Sequence, residues 1–272
     1  MATRPGAAET FIGTNGVSGL MRELDWAATP LGPVGQWPTS LRSIVRMMLT
    51  SRYQMWMAWG PELTFFCNDA YIPTLGVKFP WALGQPARLV WAEIWSDIGP
   101  MIDQVLRTGE ATYSEGMLLF LERSGFREET YHTFSYSPLF DDTGTIIGMF
   151  CVVVEETDRV LNERRLGTVR EFASAAAVTT GESRLFAAIG EQLDHNLVDL
   201  PFTLTYLRGP GGDRLVARSG IEPVDVAWPV QRIAPESGPI ELEDLARWIG
   251  HATSTGSMPD RATRRSPPGP RR

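Results

Sequence analysis

The sequence predicts an α+β fold in which a five-stranded antiparallel sheet packs against helices on one of its faces. Two strand-like runs come first, helical segments follow, and three longer strand-like runs come last, all within residues 53–155. Short turns rich in Gly, Pro and Asp join neighbouring strands, which favours antiparallel pairing. Hydrophobic residues make up 43% of the 272 residues, enough for a folded core.

A helix and a hairpin open the pattern. Ser40 stands where it would cap a helix. The apolar positions that recur at helical spacing behind it are Leu41, Ile44, Val45, Met48 and Leu49. Residues 53–59 and 62–67 are aromatic and aliphatic runs separated by Gly60-Pro61, which predicts two strands. Asn68 then stands at the cap of a following short helix.

A longer helix and three strands complete the pattern. Residues 91–107 predict a helix that ends at Gly109. The residues on its apolar face are Ile94, Ile98, Met101, Ile102 and Val105. The strand-like segments 112–122, 126–139 and 145–155 follow, joined by turns of the kind that hairpins use.

Composition excludes several classes of function. The net charge of −7 disfavours a role in binding nucleic acid or an anionic membrane. The longest apolar run, residues 146–154, is too short to cross a bilayer, and the first residues show no signal pattern, so we expect a cytoplasmic protein. Cys67 and Cys151 lie in strand-like runs and are expected to be buried, reduced thiols. The three histidines lie far apart, which argues against a metal site.

Five short motifs, by their order and spacing, resemble the PAS sensor domains of bacterial signalling proteins. They are Trp59-Gly60-Pro61-Glu62-Leu63, Asn68-Asp69-Ala70-Tyr71, Trp91-Ala92-Glu93-Ile94-Trp95, Phe134-Ser135-Tyr136-Ser137-Pro138 and Val154-Glu155-Glu156-Thr157. The resemblance covers about residues 25–165 and is closest to the PAS type that precedes a GAF domain in histidine kinases. It implies a PAS domain with an N-terminal helix over residues 25–157.

The remaining segments are interpreted around that domain. Residues 1–24 and the Arg- and Pro-rich residues 251–272 are expected to be disordered. Residues 158–182 are expected to form a helical linker, and residues 183–250 resemble the start of a GAF domain, an incomplete α/β segment.

Four residues are candidates for coupling a signal to the linker. Leu166 and Val169 begin a heptad-like apolar seam, which favours a homodimer, although a plain surface connector helix fits the spacing equally well. Glu156 and Thr157 stand where the family places an Asp-x-Thr-like hinge.

The resemblance gives no support for a cofactor of the usual kinds, and the cofactor is left unknown. Ala87 replaces the cysteine that flavin-binding relatives use for their covalent adduct, and residues 91–107 lack the histidine of haem-binding relatives. We expect no catalytic site and no enzyme activity, because the chain has no ATP-binding block and His195 lacks a phosphoacceptor context.

An aromatic lining remains as the candidate ligand pocket. Its residues are Trp56, Phe65, Asn68, Tyr71, Trp91, Trp95, Phe120, Phe134 and Tyr136. Aromatic residues at these spacings also fill ordinary cores, so a filled core stays as the alternative. The sequence thus predicts a sensory module that responds to a small ligand or a signalling partner protein. The alternatives are a shortened copy of a PAS-linked kinase or phosphatase, and a ligand-free dimerisation module.

Overall fold

The computed structural model describes residues 10–13 and 16–220. The chain divides into two compact units, Met1–Asn162 and Glu163–Arg272, and the boundary falls inside a helix. The predicted disordered tail and residues 221–250 of the GAF-like segment lie outside the described residues.

The first unit alternates helices and strands in the predicted order. Its elements are α1 (Val17–Glu23), α2 (Thr39–Thr50), β1 (Gln54–Trp59), β2 (Thr64–Cys67), α3 (Ile72–Leu75), α4 (Ala87–Val90), α5 (Trp95–Thr108), β3 (Thr112–Leu121), β4 (Glu128–Phe140), β5 (Ile146–Glu155) and the start of α6 (Thr157–Val178). Five short 3-10 helices lie between them, at Trp26–Ala28, Val34–Gln36, Asp69–Tyr71, Gly76–Lys78 and Ala92–Ile94.

The five strands form one antiparallel sheet in the order β2-β1-β5-β4-β3. This confirms the predicted α+β class and its five-stranded antiparallel sheet. The central strand β5 pairs with β1 from Gln54↔Val153 to Trp59↔Gly148, and with β4 from His132↔Glu155 onward. The first and second halves of the fold are therefore joined through β5.

Helix α5 packs on one face of the sheet, in agreement with the predicted arrangement, and N-terminal residues also cover part of the opposite face. Phe65 and Phe66 are both fully buried, and alternation along β2 points them to opposite faces. Phe65 packs on Trp56 on the face that α5 covers, here called the inner face. On the outer face Trp26 stacks on Phe66 with ring centroids 5.0 Å apart, and Trp37 meets the same ring edge-on.

The N-terminal residues supply much of that outer layer. The prediction that residues 1–24 are disordered is wrong for residues 10–13 and 16–24; the others in that range lie outside the described residues. Phe11, Val17 and Met21 have no exposed surface, because they pack into the aromatic cluster around Trp26. The Asp69 carboxylate also accepts a hydrogen bond of 2.7 Å from the backbone N–H of Val17, which fastens α1 to the sheet.

A carboxylate from a distant hairpin caps helix α2. The sequence placed Ser40 at the cap, but the helix begins at Thr39 and Pro38 holds the cap position without a side-chain hydrogen bond. Instead Asp142, in the β4–β5 turn, accepts hydrogen bonds from the backbone N–H groups of Thr39 at 3.0 Å and Ser40 at 2.8 Å. These bonds hold the pKa of Asp142 below its usual value.

Replacing Asp142 with Ala should lower the thermal midpoint, because two backbone N–H groups of α2 lose their acceptor. Asp142→Asn should lower it less, since the amide oxygen still accepts one bond. Asp103→Ala, an exposed aspartate on α5, is the control. Calorimetry of the three variants checks this, and equal midpoints for Asp142→Ala and the wild type would contradict the cap.

The second unit contains most of α6, then α7 (Glu182–Asp194) and a hairpin of β6 (Thr203–Gly209) and β7 (Gly212–Ser219). One side of α6 is held by polar contacts, since Arg164 Nε donates to Asp199 at 2.9 Å and Asn196 donates to the Thr168 hydroxyl at 2.9 Å. The other side leaves Leu166 and Val169 54% and 61% exposed. Among the described residues, no helix is long and apolar enough to cross a membrane.

Candidate functional site

A small cavity lies between the inner face of the sheet and helix α5. Its volume is about 30 Å³, which is room for one or two water molecules, whereas pockets for drug-sized ligands measure roughly 300–1,000 Å³. The lining residues are Trp56, Tyr71, Thr74, Trp91, Ile94, Ile98, Leu119, Leu121, His132, Phe134, Tyr136, Cys151 and Val153.

Five of the nine predicted pocket residues line this cavity: Trp56, Tyr71, Trp91, Phe134 and Tyr136. Their rings also contact one another, with Phe134 and Tyr136 centroids 4.9 Å apart and Trp56 meeting Tyr136 edge-on at 5.8 Å. A sixth predicted residue, Phe65, stands behind them and stacks on Trp56 at 5.4 Å. The aromatic rings therefore occupy most of the space that they enclose.

Phe120 does not belong to the site, because a bulge changes which side chains of β3 point inward. Alternation from Thr112, which lies opposite the cavity residue Tyr136, would place Phe120 on the inner face. The register shifts between Ser114 and Met117, so Leu119 and Leu121 take the inner positions. Phe120 points outward, and the Arg127 guanidinium lies 4.1 Å from its ring centroid.

Asn68 and Trp95 also lie outside the cavity lining. The Asn68 side chain makes no helix cap; it is buried, its amide nitrogen donates to the carbonyls of Met48, Ser51 and Tyr53, and its oxygen accepts from Met55 N–H at 3.1 Å. It fixes the turn from α2 into β1. The Trp95 indole lies beside Gly99 on its own helix, where a Cβ at residue 99 would come within 2.8 Å of Trp95 Nε1.

The indole of Trp91 is fully buried, and its Nε1 has no hydrogen-bond partner within the described part of the chain. Lys78 lies over this ring with Nζ 4.2 Å from the centroid, and it pairs with Glu93. Burial lowers the pKa of Lys78, although Glu93 favours the charged form. Lys78, held by Glu93, packs over one face of the Trp91 ring. The buried Nε1–H of that ring is a hydrogen-bond donor without an acceptor among the described residues.

Sequence reasoning missed the polar lining residues Thr74, His132 and Cys151. A signal for His132 was present, since it shares its strand face with Phe134 and Tyr136. Thr74 donates to Gln54 at 3.2 Å and closes the edge beside β1. Burial raises the pKa of Cys151, and of Cys67, so both remain thiols. Each pairs with Trp56 in the sheet, which leaves them two strands apart and too far for a disulfide.

His132 is 2% exposed and is held in its neutral form. Burial lowers its pKa to about 4; Glu155 opposes this shift and Arg123 reinforces it. The Thr130 hydroxyl donates to the carbonyl of Leu119 at 2.7 Å, so it can only accept from His132 Nε2 at 3.1 Å. The proton of the neutral ring therefore resides on Nε2, and Nδ1 carries the lone pair.

Beside His132 an ion pair ties the sheet to helix α6. Arg123, in the β3–β4 turn, donates through two nitrogens to the Glu155 carboxylate, each bond 2.8 Å long, and through Nε to Glu128 at 3.1 Å. The Thr157 hydroxyl donates to Glu155 at 2.9 Å and accepts from the N–H of Tyr131 at 3.0 Å. Burial would raise the pKa of Glu155, but Arg123 and Thr157 outweigh it, and the pKa stays below its usual value.

The predicted hinge residues Glu156 and Thr157 both take part in this junction. Glu156 accepts a 2.6 Å bond from the Thr133 hydroxyl, which itself accepts from Gly116 N–H in the β3 bulge. The longer glutamate side chain at position 156 therefore forms a hydrogen bond to the neighbouring strand β4. The ion pair of Arg123 and Glu155 was not predicted from the sequence, because the position of an arginine in a turn does not indicate its partner.

The described residues contain no cluster of His, Cys, Asp or Glu that would hold a metal ion. The cavity has room for a very small molecule, and β5 connects its lining to the residues at the start of α6.

Comparisons with known proteins found similarity to solved structures alone. No family model and no curated protein matches the chain. Among solved structures, an RNA-binding light-oxygen-voltage receptor matches with 20% identity and a TM-score of 0.37, over 50% of this chain and 39% of that one. The PAS domain of a Colwellia psychrerythraea protein matches with 10% identity and a TM-score of 0.35, over 43% and 98%. The PAS domain of Bordetella pertussis BvgS matches with 18% identity and a TM-score of 0.33, over 48% and 97%.

The buried, neutral His132 should make stability depend on pH. Its pKa is about 4 in the fold and about 6.5 in an unfolded chain, so the unfolded state binds more protons between these values. The free energy of unfolding should fall as pH falls from about 6.5 towards 4. Glu155, whose pKa is lowered, loses its contribution only at still lower pH.

His132→Gln, which keeps a donor for Thr130, should flatten this dependence between about pH 6.5 and 4. Urea unfolding of both proteins at several pH values checks it. His195→Gln, on the exposed end of α7, is the control for losing an imidazole elsewhere. An unchanged slope in His132→Gln would show that His132 is not the group responsible.

Proposed function

We propose that the chain is a sensory and signal-transduction module of the PAS type, resembling the input half of a two-component histidine kinase. A small ligand or a signalling partner changes the packing of the inner face, and the change leaves the first unit through α6. The observation that carries this proposal is the Arg123–Glu155–Thr157 junction, which joins the sheet to the first residue of that helix.

The path from cavity to helix is short. Cys151 and Val153 line the cavity on β5, and Glu155 follows two residues later on the same strand and face. Displacing the inner side chains of β5 therefore acts directly on the residue that holds Thr157. Such a change shifts the balance between two arrangements of α6, which is how a sensory module transmits occupancy.

The buried indole of Trp91 favours a ligand with a hydrogen-bond acceptor. An unpaired buried donor costs about 1–3 kcal/mol, and a small molecule that accepts from Nε1 would recover it. The polar tips of Tyr71, Tyr136 and Thr74 surround the same space. Room for such a ligand must come from movement of the rings, since the cavity now measures about 30 Å³.

A ligand-free dimerisation module is the second candidate. The filled aromatic cluster favours it, because rings that already contact one another have no need of an occupant. The exposed pair Leu166 and Val169 on α6 offers the apolar seam that a homodimer would bury. Both candidates are non-enzymatic, and in both the partners are proteins or small molecules rather than nucleic acid.

Arg123→Gln tests the junction. The variant loses a two-pronged, partly buried ion pair, with both side chains 19% exposed, so the first turn of α6 should open more often. We expect amide hydrogen exchange at residues 160–162, the first hydrogen-bonded amides of the helix, to rise about tenfold, equivalent to about 1.4 kcal/mol. Exchange in β5 should change little, because its ladder partners remain.

Arg127→Gln is the matched control, since this arginine belongs to the same turn but stacks on the outward ring of Phe120. It should leave residues 160–162 unchanged. Equal protection of α6 in the Arg123 and Arg127 variants would show that the junction does not hold the helix, and the proposed route would fall.

Replacing both Leu166 and Val169 with Asp tests the dimer seam. If the seam pairs two copies, burial of each of the two side chains stabilises the dimer by roughly 1.5–3 kcal/mol. Sedimentation should then show a dimer for the wild type and a monomer for the double variant. Met47→Asp, which places the same charge at an exposed apolar residue of α2, is the control and should leave the dimer intact. A monomeric wild type would contradict the seam.

A further inference from the structure

His132 stands between the cavity and the junction that leaves it. It lines the cavity, and it lies directly opposite Glu155 in the β4–β5 ladder. Side chains of directly opposed residues share one face, with Cβ atoms about 4.5–5.5 Å apart. The imidazole and the carboxylate that holds Thr157 are therefore neighbours.

We propose that His132 relays a change in the cavity to helix α6 by taking up a proton, which stays on the imidazole. When the cavity opens to water or to a polar ligand, His132 takes up a proton from the solvent, and the imidazolium competes with Arg123 for Glu155. This inference rests on the proposed function and adds to it a specific signal, the positive charge that His132 gains.

The hydrogen bonds around His132 decide where the proton goes. Nε2 already donates to the Thr130 hydroxyl, whose own proton is committed to Leu119. Nδ1 has no hydrogen-bond partner in the described part of the chain, so it is the basic nitrogen that a newly admitted water can protonate. Opening the cavity removes the burial that now keeps the ring neutral.

The charged groups near His132 leave one target for the new cation. Glu155 on β5 supplies the negative charge and Arg123 in the β3–β4 turn supplies the positive one. The titratable groups that line the same cavity are Tyr71, Tyr136 and Cys151, and burial raises the pKa of each, so they stay neutral. Helix α5 and strand β3 contribute Ile98, Leu119 and Leu121, which carry no charge.

Glu155 cannot serve all of these partners equally well. One of its oxygens accepts from both Arg123 Nη2 and the Thr157 hydroxyl, and the other accepts from Arg123 Nη1. An imidazolium on the neighbouring strand draws the carboxylate towards the His132 ring. The hydrogen bonds of Arg123 and Thr157 then lengthen, and the first turn of α6 is released.

The test opens the cavity with a small polar substitution and follows the imidazole in the full-length chain. Ile98→Ser removes an apolar wall of the cavity, whereas Ile102→Ser makes the same change one turn along α5, at a buried residue outside the lining. Proton NMR gives the titration midpoint of His132, and His132→Gln identifies its resonance. We expect the midpoint, about 4 in the wild type, to rise by about one pH unit or more in Ile98→Ser and to stay in place in Ile102→Ser.

The protection of amides 160–162, corrected for the intrinsic pH dependence of exchange, should fall about tenfold with the same midpoint as His132 becomes charged. Adding His132→Gln to Ile98→Ser should abolish that step. Val153→Thr, nearly isosteric, adds a hydroxyl to the cavity and replaces Ile98→Ser if the latter does not fold.

The relay is overturned if the His132 midpoint rises without a matching change in α6, or if opening the cavity leaves the midpoint in place. Either result leaves the junction itself to the Arg123→Gln experiment, which is repeated with His132→Gln added so that no imidazolium can replace the lost arginine beside Glu155. A negative result with Arg123→Gln contradicts the proposed function, whereas a negative result with Ile98→Ser contradicts only the relay.

Discussion

The central strand β5 is the constraint on which the first unit depends. It pairs along both edges, with β1 and with β4, and it joins a hairpin from the start of the domain to one from its end. Its inner side chains line the cavity and its last residue, Glu155, holds Thr157. A strand held on both edges moves only together with its neighbours, because every ladder bond must be kept. Under the proposed function, a displacement at the cavity is shared by the paired strands and reaches α6, which follows directly after β5.

Local signals made most of the fold predictable from the sequence. The five strands and helices α2 and α5 come within a few residues of their predicted bounds, because alternation and helical spacing are properties of short segments. Contacts between distant residues were not predictable in that way. Asp142 caps α2 from 102 residues along the chain, and Asp69 fastens α1 from 52 residues away. The covering of the outer face by residues 11–13 and 16–37 depends on such contacts. Composition alone gave no sign of them, so the first residues were expected to be disordered.

The candidate site was predictable in composition and less so in geometry. Aromatic residues marked the inner layer, and five of the nine chosen residues line the cavity. The errors have separate physical causes. The bulge at Gly116 reverses the alternation of β3 and sends Phe120 outward, and Asn68 uses its amide to satisfy three backbone carbonyls. The inward position of His132 could be predicted from strand alternation, because it shares a face with Phe134 and Tyr136. The pairing of Arg123 with Glu155 could not, because it depends on which strand end lies beside the β3–β4 turn.

The energetics of the Arg123–Glu155 pair explain why a junction of this kind suits a switch. Two partly buried charges lose hydration, so the pair contributes little net stability although its geometry is strict. Breaking it by removing one partner is costly, because the other charge stays buried. A second cation within reach of Glu155 would keep that carboxylate paired, and His132, across the ladder from Glu155, is the neighbouring group that can become such a cation. In the proposed relay the partner of the carboxylate changes while the strands stay paired, and the first turn of α6 responds to the partner that Glu155 has.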